Sequence, residues 1–240
     1  MSDWVSFTPY LLIAAGIVVF GVLMIGVSVL EKQRIRQLEP ASLDIIGPTS
    51  SYFDAMNSQA AAYGGVFCGY FVRMPRTPVT NCYLGAWLSP DRKTVAYVLG
   101  GKVAKINYRK TLLVGWLNDD TFIVTRDDFG EADHSRTQNI EVVLNADFGE
   151  LAVRHAQRLQ ELAADPRQLH SGAVLDCMER MDEVRARKLV EMGLATFLDE
   201  SNGVWRYTFR GGWRNFMNSI SEMKASKKHM PRMNKKRPGS

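Results

Sequence analysis

The sequence predicts an α+β protein with one N-terminal transmembrane helix, an antiparallel β-meander domain flanked by helices, a small helix–helix–hairpin module and a disordered basic tail. Three observations predict it. Tyr10 to Leu30 carries no charged residue. From Val66 to Leu144, β-branched and aromatic residues recur between turn signals. From Lys224 onward the chain holds cations and no acid.

At about 1.5 Å per residue the uncharged run makes a helix of roughly 31 Å, the thickness of a hydrocarbon core. A cleaved signal would need a basic start and a small-residue cleavage site. Met1 to Pro9 instead carries Asp3 and no Lys or Arg, whereas Glu31 is followed by Lys32, Arg34 and Arg36. The positive-inside rule then places the N-terminus outside and the body in the cytoplasm, with Trp4, Phe7 and Tyr10 as an outer aromatic belt. Gly16, Gly21 and Gly26 are five apart and share no helix face, so the span reads as a passive anchor. The predicted organisation is an extracytoplasmic 1–9, a span at 10–30, a juxtamembrane linker at 31–50, an α+β domain at 51–165, a second module at 168–222 and a tail at 223–240.

The formal charge of +5 is concentrated in that tail, in Lys224, Lys227, Lys228, Arg232, Lys235, Lys236 and Arg237. Removing those seven charges from +5 leaves the rest at minus two, which argues against a generally nucleic-acid-binding body. The tail and the juxtamembrane Lys32, Arg34 and Arg36 are read as contacts to an anionic inner leaflet. Cys68, Cys82 and Cys177 form no CxxC and no zinc spacing, so reduced buried thiols are expected.

Within the body, Ser51 to Tyr63 reads as a helix stopped by Gly64-Gly65. Strands are predicted at 66–73, 81–88, 94–99, 102–108, 112–116, 121–125 and 140–144. A tight turn is expected at Gly100-Gly101 and a type I turn at Ser89-Pro90-Asp91-Arg92. In the second strand Cys82, Leu84, Ala86 and Leu88 alternate with Tyr83 and Trp87, so both faces of the sheet need a cover. Asp147 and Glu150 make a capping pair for a helix whose apolar residues, Leu151, His155, Leu159 and Leu162, recur up to Pro166.

The last third predicts a helix around Val174, Leu175 and Met178, a second from Asp182 to Met192, a stop at Gly193, and a hairpin through Asn202-Gly203. From Ser171 to Gly212 this element order, with the Gly193-Leu194 junction, resembles the second half of a winged-helix domain. No functional residue is carried over from the resemblance, but a helix from Asp182 to Met192 lying in a major groove would offer Arg185, Arg187 and Lys188, with Arg206 and Arg210 on and after the hairpin, as possible DNA contacts. Asp182, Glu183 and Glu191 on the same helix offset those charges, which makes a solvated or protein-binding face the better reading.

One dense polar patch lies at residues 119–134. Its Asp127, Asp128, Glu131, Asp133 and His134 are candidate ligands for a divalent ion, although their spacing fits no calcium loop. His155 falls on the apolar side of its helix and reads as a core residue. No GxGxxG, Walker, GxSxG or HExxH pattern occurs. The sequence therefore predicts a single-pass, membrane-anchored cytoplasmic interaction or adaptor protein with an unidentified protein partner, no cofactor and no catalytic site. The alternatives are a membrane-tethered winged-helix DNA binder and a metal-dependent enzyme built on the acidic patch.

Overall fold

Strands that alternate two apolar faces must be covered twice, and the sheet at the centre of the computed structural model is covered by helices on both sides. The structure describes residues 19, 21–22, 26, 29–35, 38–46, 49–73, 80–103, 106–128, 138–215 and 217. After a two-residue strand β1 (Gln33–Arg34), seven strands lie side by side in chain order: β2 (Leu38–Ala41), β3 (Val66–Arg73), β4 (Thr80–Leu88), β5 (Val95–Val103), β6 (Ile106–Trp116), β7 (Phe122–Arg126) and β8 (Gln138–Val142). Neighbours are antiparallel except at one edge, where β8 runs parallel to β7. The expected all-antiparallel meander is corrected there.

The expected turn at Gly100-Gly101 is also corrected. β5 runs straight through both glycines, and the reversal falls between the paired residues Val103 and Ile106. Gly100 answers a packing need instead. A Cβ there would stand 2.6 Å from Cε2 of Tyr83 and 3.2 Å from Cδ2 of Phe53, so only glycine lets those rings lie against the strand.

One face of the sheet carries Tyr83, Ala96, Val98 and Leu113, and α2 (Ser51–Ala62) and α3 (Phe148–Glu161) pack on it. α2 starts where the Ser50 side chain accepts the Phe53 N–H, and α3 starts at a complete capping box between Asp147 and Glu150. A single turn, α1 (Leu43–Ile46), precedes them and buries Ile46 in the same core. The opposite face carries Leu84, Leu88, Val95 and Val114, and its cover comes from α4 (Val174–Glu191) after a 3₁₀ turn at Ser171–Ala173. Val174, Cys177, Met178 and Met181 of α4 enter that core, and the Tyr97 hydroxyl donates to the Val174 carbonyl at 2.6 Å.

The two helices expected between Val174 and Met192 are one helix of 18 residues. Glu179, Arg180 and Met181 separate the expected pair, and all three are good helix formers, so nothing breaks the backbone. Beyond Val184 the same helix leaves the large sheet. Its Ala186 and Leu189 join Leu194, Ala195, Trp205 and Tyr207 over a second sheet, in which β10 (Val204–Tyr207) lies between β9 (Ala195–Asp199) and β1. The helix–helix–hairpin, winged-helix-like arrangement is therefore corrected to a single helix on three strands. The third strand comes from the opposite end of the chain.

That third strand bears on the membrane reading too. Within 10–30 the described residues, Val19, Gly21, Val22, Gly26, Val29 and Leu30, are helical, and the other positions of the run lie outside the described residues. Among the described residues no helix is long and apolar enough to cross a membrane. The transmembrane element, the single-pass placement and the N-outside orientation are corrected on that finding. Nor is the segment after the run a free linker: Gln33 pairs with Trp205 and Arg34 with Val204, and four residues later Leu38 to Ala41 pair with β3. β1 thus joins the small sheet and β2 the large one, and α4 touches both.

Candidate functional site

Strict alternation along β3 would send Phe67 and Tyr70 to opposite faces. A bulge between Phe67 and Gly69 breaks the alternation, and Gly69 supplies the positive φ of 141° at that point. Both rings therefore lie on the face of α2 and α3. Phe67 stands 4.7 Å from the Tyr70 ring and 4.9 Å from Trp87, between centroids. Tyr63, at the end of α2, meets Phe148 of α3 at 5.9 Å.

These rings lie near the part of β3 that runs on past the end of β2. β2 pairs with β3 from Tyr70 to Arg73 only, so Val66 to Gly69 have no described strand on that side. Val66 is 48 % exposed and Phe67 42 % exposed, with Tyr63 at 49 % beside them. Large apolar side chains on an edge without a strand partner are the arrangement that folded proteins ordinarily avoid.

Behind the rings lies a cleft of about 250 Å³ between α2, α3 and the β4–β5 turn. Trp87, Leu88, Leu113, Phe148 and Leu159 form its apolar wall. Most of the polar groups around it already have partners. The Trp87 indole N–H donates to Oδ1 of Asn57 at 2.7 Å, and the Ser89 hydroxyl donates to Asp91 at 2.5 Å while accepting the Thr94 N–H at 3.0 Å. His155 is different. It is 2 % exposed, its Nδ1 meets the Thr125 hydroxyl at 3.0 Å, and its Nε2 has no hydrogen-bond partner among the described residues. Burial pushes its pKa down to about 4 against a smaller opposing pull from the Asp91 carboxylate, so the ring is neutral at pH 7.

The chain matches no known protein family, no curated protein and no solved structure. Its chemistry has to be read from its own residues.

Of the candidate metal ligands, Asp127 and Asp128 are among the described residues. Asp127 accepts the Thr111 N–H at 2.7 Å through one oxygen and the Tyr52 hydroxyl through the other. Burial holds its carboxyl above the ordinary range, with the neighbouring Asp128 adding to the effect. Asp128 faces Lys110 at 3.6 Å and Arg126 at 3.8 Å. Glu131, Asp133 and His134 lie outside the described residues, and among the described residues no three metal-ligating side chains converge. Asp127 ties the start of α2 to β6 and β7, which is a structural use of a buried carboxylate.

The candidate DNA contacts sit on α4, the small sheet and the helical residues after it, and two of the five lie within ion pairs. Arg187 reaches Glu183 at 3.0 Å and Glu200 at 2.7 Å, and Lys188 reaches Glu191 at 2.7 Å. Arg185 donates to the Tyr207 hydroxyl at 3.4 Å, Arg206 pairs in β10 opposite Thr196, and Arg210 is exposed in the helical residues 209–215. Of the expected membrane-surface cations, Lys32 is exposed just before β1 and Arg34 is part of it. Arg36, Lys224, Lys227, Lys228, Arg232, Lys235, Lys236 and Arg237 lie outside the described residues.

Sequence reasoning placed Trp87 on a face needing cover and His155 on an apolar helix face, but it missed the open edge. One signal was present. Gly69 inside an otherwise apolar strand marks a bulge, and a bulge puts Phe67 and Tyr70 on one side.

Proposed function

We propose that this protein is a non-catalytic interaction module that takes an extended apolar segment of a partner protein onto the open edge of β3. The observation that carries the reading is the length mismatch at that edge: β2 stops at Tyr70, and Val66 to Gly69 continue beyond it. An added strand would give the outward N–H and C=O groups of these residues partners, which is how edge strands recruit peptides. Val66, Phe67 and Tyr63 supply the apolar contact that distinguishes one segment from another. Edges are commonly blunted by Lys or Pro, and Val66-Phe67-Cys68-Gly69 contains neither.

The competing readings have less support. Among the described residues of the acidic patch, Asp127 bonds to Tyr52 and Thr111 and Asp128 faces Lys110 and Arg126, and α4 neutralises Arg187 and Lys188 with its own and neighbouring acids. A helix that cancels its own charge offers little net phosphate neutralisation.

The test places a photo-crosslinking phenylalanine analogue at Phe67 of the full chain in its native cells, with the same analogue at exposed Asn202 as the control. One discrete adduct is expected from position 67, reduced at least tenfold by adding Val66→Lys and absent from position 202. No adduct at 67, or the same adducts at both positions, contradicts the reading.

A further inference from the structure

We propose that the helical residues after β10 form a docking face for an anionic phospholipid surface. Phe209, Trp213 and Met217 enter the boundary between headgroups and acyl chains, and Arg210 and Arg214 meet the lipid phosphates. The helix lies along the membrane surface and does not cross it, and its role is independent of any partner strand on β3.

Packing fixes which way this helix faces. Residues 209–215 and 217 are helical, and Thr208 starts them: its hydroxyl accepts the Gly211 N–H at 3.2 Å and its carbonyl accepts the Gly212 N–H at 2.8 Å. The same hydroxyl donates to the Gly193 carbonyl at 3.0 Å, and the Thr208 N–H donates to the Leu194 carbonyl at 2.9 Å. Gly211 comes closest of all. A Cβ there would stand 1.8 Å from the Leu194 carbonyl oxygen, so glycine is required and the Gly211-Gly212 side is buried. At about 100° per residue, Phe209, Trp213 and Met217 form one stripe roughly 150° around the helix from that pair. They are 68 %, 51 % and 43 % exposed, which is the outcome this geometry dictates.

Charge selects the occupant. Arg210 and Arg214 follow the stripe by one position each, so they flank it on one side. The sequence has no acid between Glu200 and Glu222, in contrast to α4, where Arg187 and Lys188 are matched by Glu183 and Glu191. From Phe209 to Ser240 the chain carries Arg210, Arg214 and the seven cations from Lys224 to Arg237 against the single acid Glu222. An apolar stripe with Trp and Phe beside a one-signed basic flank is the composition of a helix that lies in an anionic lipid interface. A nucleic acid would satisfy the cations but offers the stripe no acyl chains, and an apolar protein groove would leave the cations without phosphates.

The test sediments the full chain with vesicles of phosphatidylcholine alone or of phosphatidylcholine containing about one-third phosphatidylserine. Binding to the anionic vesicles is expected to be at least tenfold tighter than to the neutral ones and to weaken as salt is raised. Phe209→Glu with Trp213→Glu is expected to lower binding to the anionic vesicles at least tenfold. Phe209→Glu alone, at the most exposed position of the stripe, is the deciding variant if the double substitution does not fold. Anionic vesicles with brominated acyl chains are expected to quench the fluorescence of the natural chain more than that of Trp213→Phe, which keeps the stripe and still binds. Absence of vesicle binding, equal binding to both compositions, binding undiminished by Phe209→Glu, or equal quenching of the Trp213→Phe chain overturns the inference.

Discussion

Trp205→Ala is expected to destabilise the whole chain by about 3–5 kcal/mol, the usual loss for a large aromatic core residue cut to alanine. Trp205 is 7 % exposed and stacks edge-on against Tyr207 at 5.1 Å. It also pairs with Gln33 of β1 and Phe197 of β9, so it sits where all three strands of the small sheet meet. The informative part of the result is its form. α4 begins in the core of the large sheet and ends in that of the small one, and β1 and β2, four residues apart in sequence, pair with the small and the large sheet. A single cooperative transition is therefore expected, shifted down by about 10 °C for a chain of this size. Two separated transitions, with the large sheet melting at the wild-type temperature, would show that the shared helix does not couple them.

The second large effect is a loss of stability in acid that belongs to His155. Its native pKa of about 4 lies below the ordinary value of 6.5, so the native state binds its proton less readily than the unfolded chain does. The stabilisation is fully present above pH 6.5 and is lost as the pH falls from there through about 4. The gap between the two pKa values corresponds to about 3 kcal/mol. His155→Gln is expected to flatten the dependence of unfolding free energy on pH between 7 and 5, as read by urea denaturation at a series of pH values. Asp127 works in the opposite sense. Burial raises its carboxyl, so its contribution is full at low pH and declines as the pH rises through its native value. Asp120, held low chiefly by Arg180, and Glu161, held low by Arg154 and Arg158, act below the window measured. A variant as acid-sensitive as the wild type between pH 7 and 5 would show that the neutral His155 is not what sets the slope.

Much of the large sheet was legible because its signals are local. Alternation in β4, the capping pair at Asp147 and Glu150, and the Gly64 stop each depend on a few neighbouring residues, and the structure places elements accordingly. The errors came where distant segments decide the outcome. Gly100 looked like half of a turn because nothing local reveals that Tyr83 and Phe53 press on its α-carbon. α4 looked like two helices because its apolar face changes partner midway, from the large sheet to the small one. β1 and β2 looked like a linker because Pro40 and strands of two and four residues carry no periodicity, and only pairing with β10 and β3 makes strands of them. The candidate site shared that fate. An open edge is a relation between the lengths of β2 and β3, and no single stretch of sequence encodes it.

Amide hydrogen exchange on the full, unliganded chain tests the open edge most directly. The amides of Val66 to Gly69 that point away from β4 are expected to exchange at least a hundredfold faster than those of Leu84 to Leu88 in the centre of the sheet. The β3 amides from Tyr70 to Arg73, covered by β2, are expected to fall with the slow set. Equal protection along the whole of β3 would mean that the edge is already occupied within this chain, and the proposed mode of partner binding would be wrong.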